Sequence, residues 1–546
     1  MRARSVLALL LTGLITLLVV AVGQPASAAP TSALGSGSSY VNLAMNQWKS
    51  QANAAGIQVQ YTPTGSPAGM TLYKNGGSAF AGTEAEFPSL QVADADVTRG
   101  FQYVPDVAGA TAIMYNLREK SGQKVDYLHL DAVTVARIFI GTITKWSDPA
   151  ISASNKGIVF PDVPIKVVLR SGRSGTTALF FDFIASTLGQ EYVTWFEGNG
   201  CGSARIRPVI IECSNPSSVN NRPTTVAFGD SQQIAQFVAN DNNGQFSIAF
   251  DEFGYAKTEK VPTAWVRNAA GGYVLPYAEN ISAALESAAL RPDLTQELSG
   301  VYASKNPKTY PISAYSYITL PCGQSPDRPT CRGAYPDPGQ TQTMAAFLSY
   351  VSCAGQTSMA TLGYSPLPPN LSQEMAKAVG RLTGQPAATL TDTTCSNPRF
   401  AGSLGADAAS PCDPFLPSCA AGVGSSGGAG PGAGGAGAAG GVASTRPGVS
   451  KAPGTGPAAA APTAAVGAGV AGAGAAGGLA GSDTAAIGGG SEPGRWRKAF
   501  PVAFDAPRVR AEPGGWVLLL LIGAVLLPVL TGVGLRRWRA SRAGGR

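Results

Sequence analysis

Apolar residues follow two different spacings along residues 30–400, and the two spacings alternate. Strand-like runs occur at residues 57–61, 80–85, 111–114, 165–169, 246–250 and 312–320. Between them lie segments with apolar residues at helical spacing, of which residues 41–48 and 344–351 are the clearest. This alternation predicts an α/β fold with mainly parallel sheets. Because roughly 370 residues are too many for one such core, we expect two lobes.

Residues 167–188 contain the most informative of these transitions. They begin as a short buried strand, continue as a loop of small residues and end as a helix. The helix is indicated by apolar residues at helical spacing, namely Phe180, Phe183, Ile184 and Leu188. Either Thr176 or Thr177 is expected to cap it, because a threonine hydroxyl accepts a hydrogen bond from a free N–H group of the first turn.

The loop within this stretch, residues 170–176, is a candidate anion site. It combines glycine, serine and threonine with two cationic side chains, Arg170 and Arg173. Backbone N–H groups at the start of a helix attract anions, and the helix dipole adds to that attraction. The alternative is an ordinary strand-to-helix turn that uses glycine and serine for their geometry.

Two further loops of small polar residues lie at predicted helix starts. Residues 37–40 precede the helix at residues 41–48, and residues 62–69 follow the strand at residues 57–61. The strand at residues 80–85 carries a carboxylate, Glu84, near its end. Three such loops in one domain favour the anion-site interpretation, although the same residue types are common caps and turn formers.

The amino terminus and the cysteines predict an exported protein. Residues 1–28 have a positive start, an apolar run and a small-residue cleavage site, as in a secretory signal peptide. The chain has eight cysteines, all after this segment, and an even count in an exported protein indicates disulfides. The sequence leaves the connectivity open; pairing of neighbours along the chain would give Cys201–Cys213, Cys322–Cys331, Cys353–Cys395 and Cys412–Cys419.

The carboxyl-terminal part of the chain predicts a membrane anchor. Residues 420–491 are mostly glycine and alanine with almost no large apolar side chains, which predicts a disordered linker. After a juxtamembrane segment at residues 492–514, residues 515–535 are apolar and uncharged over the length of a transmembrane helix. The five arginines of residues 536–546 place the carboxyl terminus in the cytoplasm and everything before the helix outside the cell.

Charge and histidine content narrow the function further. The formal net charge is +7, but part of the basic excess is terminal and the globular part lacks a Lys/Arg block, so nucleic acid is not an expected partner. The single histidine, His129, lies at a predicted helix start, and we do not expect it to be catalytic. We expect no metal site, because the cysteine spacings are irregular and no histidine cluster exists, and we expect no cofactor.

Seven stretches carry a resemblance to one protein family. The stretches are GSGSSYVNLAMNQW, YTPTGSPAGM, FAGTEAEF, ARIFIGTITKWSDPAI, IKVVLRSGRSGTTALFFDF, NGQFSIAFDEFGYAK and PISAYSYITL, in this order. Their order and motifs resemble those of the phosphate-binding protein of the bacterial phosphate ABC transporter, a two-lobed solute-binding protein of the periplasmic type. The fourth and fifth stretches resemble the family's most diagnostic block, and the likeness runs from Gly35 to Pro368.

The resemblance implies that a dehydrated phosphate is bound between the lobes by helix-start N–H groups and hydroxyls, one arginine, and carboxylates. Carried over by position, the ligand-binding residues are Ser39, Tyr40, Ser66, Glu84, Arg170, Ser174, Gly175 and Thr176. Two positions depart from the family's pattern. Glu84 is one methylene longer than the usual aspartate, and Gly172 stands where a second aspartate is usual. Without the second aspartate the site lacks an acceptor for the phosphate proton, and Arg173 next to it would add a positive charge. Together these changes would favour any dianion, sulfate included. The alternative is that Arg173 points to solvent.

The resemblance also implies a type II two-lobed periplasmic-binding-protein fold with the ligand cleft between the lobes. The expected domains are a signal peptide (1–28), a solute-binding domain (29–400, with lobe I at 35–107 and 268–375 and lobe II at 108–267), a cysteine-containing extension (401–419), the linker (420–491), the juxtamembrane segment (492–514), the transmembrane helix (515–535) and the basic tail (536–546).

The expected function is an extracellular, membrane-anchored binding protein for phosphate or a related oxyanion. It is not expected to be an enzyme, and the resemblance implies a role in phosphate ABC transport with an ABC permease as partner. Two alternatives remain open: a surface sensing or adhesion protein on the same fold, and a phosphatase or esterase that uses Ser174.

Overall fold

The computed structural model describes residues 30–416 and Cys419, with gaps at residues 96, 212–218, 324–330 and 332. The described residues up to Pro411 belong to one compact unit, and those from Cys412 onward belong to a second. The predicted signal peptide, linker, juxtamembrane segment, transmembrane helix and basic tail lie outside the described residues. Among the helices that are described, none combines the length and the apolar character needed to cross a membrane.

Strands and helices alternate along the described chain, as predicted. The strands are β1 Ala33–Gly37, β2 Val59–Thr62, β3 Phe80–Thr83, β4 Gln102–Asn116, β5 His129–Asp131, β6 Lys166–Arg170, β7 Val226–Phe228, β8 Ser247–Glu252, β9 Trp265–Arg267, β10 Tyr273–Val274, β11 Ala289–Leu290, β12 Gln296–Glu297 and β13 Ser313–Leu320. The α-helices are α1 Asn42–Ala54, α2 Ser66–Lys74, α3 Ala132–Phe139, α4 Pro149–Ser154, α5 Gly175–Leu188, α6 Gln190–Gly198, α7 Ser231–Ala239, α8 Phe253–Glu259, α9 Ala278–Leu285, α10 Ser299–Tyr302, α11 Pro338–Ser352, α12 Met359–Leu362 and α13 Pro369–Thr383.

The main sheet has eight strands in the order β2-β1-β3-β13-β4-β8-β6-β7. Strand β4 lies near its middle and is buried along its whole length. Residues 102–110 of β4 pair with β13, and residues 111–116 pair with β8, so this one strand joins two halves of the sheet. The switch lies a few residues beyond the predicted lobe boundary at residue 107; the lobe limits themselves stay a prediction.

The expectation of mainly parallel sheets is only partly right. Strand β1 pairs in parallel with both β2 and β3, and strand β6 pairs in parallel with both β7 and β8. Strands β13 and β4, however, pair antiparallel with each other and with their outer neighbours β3 and β8. Apolar spacing locates a strand but carries no information about its direction, so the antiparallel centre was not predictable from the pattern.

Helix α5 is held against the second half of the sheet by aromatic side chains. Phe180 stacks on Phe250 of β8 with ring centroids 4.1 Å apart, and Phe139 of α3 meets Phe180 edge-on at 4.9 Å. All three side chains are buried. Aromatic pairs of this kind add about 0.5–1.5 kcal/mol each beyond their buried area, so the start of α5 is fixed relative to β8.

Disulfides join three of the neighbouring cysteine pairs suggested by the sequence. They are Cys322–Cys331, Cys353–Cys395 and, in the second compact unit, Cys412–Cys419. Cys201 is also disulfide-bonded, and Cys213 lies outside the described residues. No free thiol is present in the described part of the chain, in agreement with the disulfides predicted from the even number of cysteines.

Candidate functional site

The predicted site residues lie where parallel strands end. The carboxyl ends of parallel neighbours share one edge of a sheet, so the loops that follow them meet there. In the first half of the sheet these loops carry Ser39 after β1, Ser66 after β2 and Glu84 after β3. In the second half, Arg170 ends β6, and Ser231 follows β7 as the first residue of α7.

Glu84 is the first centre of the site. Its side chain is buried, and three hydroxyl groups from three separate segments donate to its carboxylate. Ser38 Oγ lies 2.5 Å from Oε1, Thr176 Oγ1 lies 3.1 Å from Oε1, and Ser66 Oγ donates to Oε2. Burial raises the pKa of Glu84 above its ordinary value, and these hydroxyl donors oppose the rise because they favour the charged form.

The close approach of α5 to Glu84 depends on Gly175, the first residue of that helix. A Cβ atom on Gly175 would lie 2.7 Å from Ser66 Oγ and still closer to Oε2 of Glu84. The expected cap, Thr176 or Thr177, is wrong: Ser174 is the N-cap, and its Oγ accepts from the N–H of Thr177 at 3.4 Å. The physical reason is that the hydroxyl of Thr176 donates to Glu84 instead.

Arg170 is the second centre. Its side chain is only 3% exposed, and its Nη1 donates to Ser39 Oγ at 2.8 Å and to Ser231 Oγ at 3.1 Å. Its Nη2 donates to the carbonyl oxygen of Gly229 at 3.0 Å. Nη1 also lies 4.0 Å from Oδ2 of Asp251, a fully buried carboxylate on β8. Nε of Arg170 has no hydrogen-bond partner among the described residues, so the guanidinium retains a donor.

The two centres form one buried cluster, because Ser38 contacts Glu84 and the adjacent Ser39 contacts Arg170. Ser39 Oγ and Ser231 Oγ are also 2.8 Å apart, which joins the loop after β1 to the start of α7. Residues far apart in sequence therefore meet around one guanidinium and two carboxylates. We call this set the oxyanion cluster; its side chains belong to Ser38, Ser39, Ser66, Glu84, Arg170, Thr176, Ser231 and Asp251.

Tyr40 contributes its backbone rather than its side chain. Its N–H donates to Ser38 Oγ at 2.9 Å, whereas its ring packs against Gly109 of β4 and its hydroxyl has no partner among the described residues. Three other tyrosine hydroxyls fix this segment by donating to its carbonyl oxygens. They are Tyr61 to Ser38, Tyr255 to Ser39, and Tyr364 to Tyr40.

The two departures from the family's pattern have different structural outcomes. Glu84 reaches the cluster fully despite its extra methylene. Gly172 supplies no side chain, and a Cβ atom there would touch only the carbonyl oxygen of Gly229, at 3.7 Å. Arg173 is exposed, and its Nη2 donates to the carbonyl oxygen of Leu90 at 3.0 Å, so it is not part of the oxyanion cluster.

Sequence reasoning missed Ser38, Ser231 and Asp251. A signal existed for Ser231, since the N-cap Asp230 precedes it and accepts from the N–H of Gln233 at 2.9 Å. Asp251 was visible as a carboxylate near the end of a predicted strand. What the pattern could not supply is that both approach Arg170, which lies 61 residues from Ser231.

Other chemistries find less support in the described structure. His129 lies in β5, in a separate three-stranded sheet, where its ring stacks on Tyr273 at 4.3 Å. The hydroxyl of Ser174 is the helix cap rather than a partner of an imidazole. Across the described residues, no group of three or more His, Cys, Asp or Glu side chains is arranged to hold a metal ion.

The cluster is suited to a small anion that can also donate a proton. A serine or threonine hydroxyl has one proton, so a hydroxyl that donates to Glu84 must rotate before it can donate to a ligand. That rotation leaves the Glu84 carboxylate as a free acceptor. A tetrahedral oxyanion with one protonated oxygen can accept hydrogen bonds from the hydroxyl groups and the guanidinium. Its protonated oxygen can donate a hydrogen bond to the carboxylate.

A comparison with known families places the fold. The model of the PBP superfamily domain matches residues 24–354, more than half of the 546-residue chain. This chain belongs to that superfamily. The resemblance drawn from the motifs is thereby confirmed at the level of the superfamily and of its α/β fold.

Several characterised proteins are similar to this chain in sequence. Phosphate-binding protein PstS 3 of Mycobacterium leprae is 26% identical over 333 residues, which are 60% of this chain and 80% of that protein. Phosphate-binding protein PstS of Xylella fastidiosa is 27% identical over 344 residues, 62% of this chain and 83% of that protein. Among solved structures, a phosphate-binding protein from Stenotrophomonas maltophilia is 18% identical and aligns over 69% of this chain and 99% of its own, with a TM-score of 0.45.

Proposed function

We propose that this protein binds phosphate or a closely related tetrahedral oxyanion at the oxyanion cluster and serves phosphate ABC transport. The observation that carries the proposal is the buried Arg170, 3% exposed, which donates to hydroxyls near the starts of two helices and is linked to the buried Glu84 through the adjacent Ser38 and Ser39. The names of the Mycobacterium leprae and Xylella fastidiosa relatives, both phosphate-binding proteins, support phosphate as the ligand.

The energetic argument favours an anion over a neutral ligand. A buried guanidinium is costly unless it is paired, and here its nearest carboxylate oxygen is 4.0 Å away rather than in direct contact. An anion at Arg170 would complete the pairing and use the free Nε donor. Hydrogen bonds to a charged group contribute about 1.5–3 kcal/mol each, so a few of them account for tight binding of a small ion.

The experiment is titration calorimetry on the full-length protein with phosphate, sulfate and a phosphate monoester. We expect phosphate to bind and Arg170→Ala to weaken binding by at least about tenfold, which corresponds to 1.4 kcal/mol. Arg173→Ala is the matched control, because it removes an arginine of the same loop that is exposed and contacts the Leu90 carbonyl instead. Its phosphate affinity should equal that of the unmodified protein.

Two results would count against the proposal. If phosphate does not bind, the proposed ligand is wrong; if phosphate binds and Arg170→Ala leaves its affinity unchanged, the anion site lies elsewhere. If the monoester is hydrolysed and Ser174→Ala abolishes the hydrolysis, the protein is an esterase. We expect no turnover, because the Ser174 hydroxyl is engaged as the cap of α5.

We further propose that the binding domain lies outside the cell and is anchored to the membrane by a carboxyl-terminal helix. It rests on the sequence alone: the signal-like residues 1–28, the apolar residues 515–535 and the five arginines that follow them. A low-complexity linker of roughly 70 residues would let the binding domain reach a permease in the same membrane. Cross-linking of the intact protein to membrane components, with and without phosphate, tests this partnership.

A further inference from the structure

A cavity of about 280 Å³ lies between α9, β13 and the segment that follows α12. We call it the α9 cavity. The residues of the oxyanion cluster, all of which are described, do not line it. Its volume is just under the range of roughly 300–1,000 Å³ that is typical of small-molecule pockets, so it suits a ligand of modest size. The lining residues that carry the argument are Leu285, Glu286, Leu290, Tyr315, Ser365 and Arg399.

The inner wall of the α9 cavity is mostly apolar. Leu285 of α9 and Leu371 of α13 are buried, Tyr315 of β13 is 5% exposed, and Leu290 of β11 is half-buried. Such a wall favours an apolar group of a ligand, because contact removes apolar surface from water. Ser365 also lines the cavity, and its buried Oγ has no hydrogen-bond partner among the described residues. This hydroxyl therefore retains a donor.

Two opposite charges line the same cavity without pairing with each other. Glu286 directly follows α9 and is exposed, whereas Arg399 is half-buried. Within the described part of the chain no ion pair joins them, and Nε of Arg399 is buried without a hydrogen-bond partner. Burial raises the pKa of Tyr315; the Arg399 guanidinium opposes that rise and the Glu286 carboxylate adds to it, so both charges act on one ring.

The backbone around Arg399 is held in place by its neighbours. The disulfide Cys353–Cys395 ties this segment to the end of α11. Asn397 is 1% exposed, and its Oδ1 accepts from the N–H of Arg399 at 3.0 Å. Its Nδ2 donates to the Leu367 carbonyl oxygen and to Ser372 Oγ, both at 2.9 Å. Arg399 also lies beyond residue 354, where the superfamily match ends, so that match does not account for it.

We propose that the α9 cavity binds a free α-amino acid with an apolar side chain. The apolar side chain lies against Leu285, Leu290 and Tyr315. The carboxylate of the amino acid pairs with Arg399, since a guanidinium matches the geometry of a carboxylate, and its ammonium group pairs with Glu286. A zwitterion satisfies both charges at once, whereas an inorganic anion would be attracted by Arg399 and repelled by Glu286.

The test is titration calorimetry on the full-length protein with L-leucine, L-leucinamide and N-acetyl-L-leucine. Leucine should bind. Leucinamide, which lacks the carboxylate, should bind at least about tenfold more weakly, because it cannot pair with the half-buried Arg399. N-acetyl-leucine, which lacks the ammonium group, should bind about two- to fivefold more weakly, because the exposed Glu286 charge is screened by solvent.

Variants assign the binding to the α9 cavity. Arg399→Gln should weaken leucine binding at least about tenfold and Glu286→Gln about two- to fivefold. The matched control is Arg205→Gln, which removes an exposed arginine that does not line the cavity and should leave leucine affinity unchanged. Ser282 of α9 is half-buried in the cavity wall. Ser282→Phe should therefore fill the space and abolish leucine binding while phosphate affinity stays the same.

The possible results separate this proposal from the proposed function. If the unmodified protein does not bind leucine, or binds leucinamide equally well, the proposal is wrong. It is also wrong if Arg170→Ala weakens leucine binding and Arg399→Gln does not, because the amino acid then lies at the oxyanion cluster. Should Arg399→Gln prove unfolded by circular dichroism, unchanged leucine affinity in Ser282→Phe overturns the proposal. Failure of phosphate to bind would count against the proposed function alone.

Discussion

A single methyl group at the start of α5 should disable the site. Replacing Gly175 with alanine would put a Cβ atom 2.7 Å from Ser66 Oγ, 3.1 Å from Glu84 Cδ and closer still to Oε2. Glu84 is buried and held by three hydroxyls. It cannot move aside without breaking at least one hydrogen bond to a charged group, a loss of about 1.5–3 kcal/mol.

A displaced Glu84 or Ser66 would also lose a hydrogen bond of the same size to the bound ligand, which corresponds to a weakening of phosphate binding by roughly ten- to a hundredfold. The effect on folding should be smaller, because alanine in a helix is favoured over glycine by up to about 1 kcal/mol and partly offsets the clash. Calorimetry with phosphate measures the binding loss, and thermal unfolding followed by circular dichroism measures the change in stability.

The matched control is Gly172→Ala, in the same loop. A Cβ atom there meets only the Gly229 carbonyl oxygen, at the ordinary contact distance of 3.7 Å, so phosphate affinity should stay within about twofold, or roughly 0.4 kcal/mol. Unchanged phosphate binding in Gly175→Ala, or an equal loss in Gly172→Ala, would refute the reasoning that α5 and Glu84 must approach closely.

Three other predictions concern Glu84, the buried carboxylate of Asp106 on β4, and the membrane anchor. Glu84→Gln should lower phosphate affinity relative to sulfate in calorimetry, because the amide can donate where the carboxylate only accepts; an equal loss for both anions would make Glu84 purely structural. Burial raises the pKa of Asp106 well above its ordinary value, with Glu84 contributing, so the folded state keeps a proton that the unfolded state releases, and stability is lost as pH rises above about 4. Asp106→Asn should therefore make the free energy of unfolding, measured by urea denaturation, fall less steeply between about pH 4 and 7 than in the unmodified protein; identical slopes would contradict this. A chain ended before Gly514 should be released into the medium, and retention in the membrane fraction would mean that another anchor exists.

Much of the site was predictable because its parts are local. Glycine, serine and threonine at helix starts, a carboxylate after β3 and an arginine at the end of β6 are each visible within a few residues of sequence. Of the eight predicted residues, Ser39, Ser66, Glu84, Arg170 and Thr176 meet through their side chains, and Ser174 and Gly175 build the turn that permits it. Tyr40 lies beside them but offers its backbone.

The remainder depended on contacts that no local pattern encodes. The strand β1 was missed because residues 33–37 are short and rich in glycine and serine, and only pairing with β2 and β3 makes them a strand. The roles of Ser231 and Asp251 follow from the parallel order of β6, β7 and β8, which brings their ends to Arg170. The cap of α5 was assigned to a threonine because several hydroxyls compete there, and the choice is made by Glu84 across the site.

A crystal structure determined with arsenate tests the central claim most directly. Arsenate is a tetrahedral oxyanion that carries a proton at neutral pH, and the anomalous scattering of arsenic locates it without ambiguity. We predict one strong arsenic peak within the oxyanion cluster, with arsenate oxygens at hydrogen-bonding distance from Arg170, Ser66 and Thr176 and a protonated oxygen facing Glu84. An arsenic peak elsewhere on the protein, with the cluster still closed on itself through the hydrogen bonds of Glu84, would contradict the account.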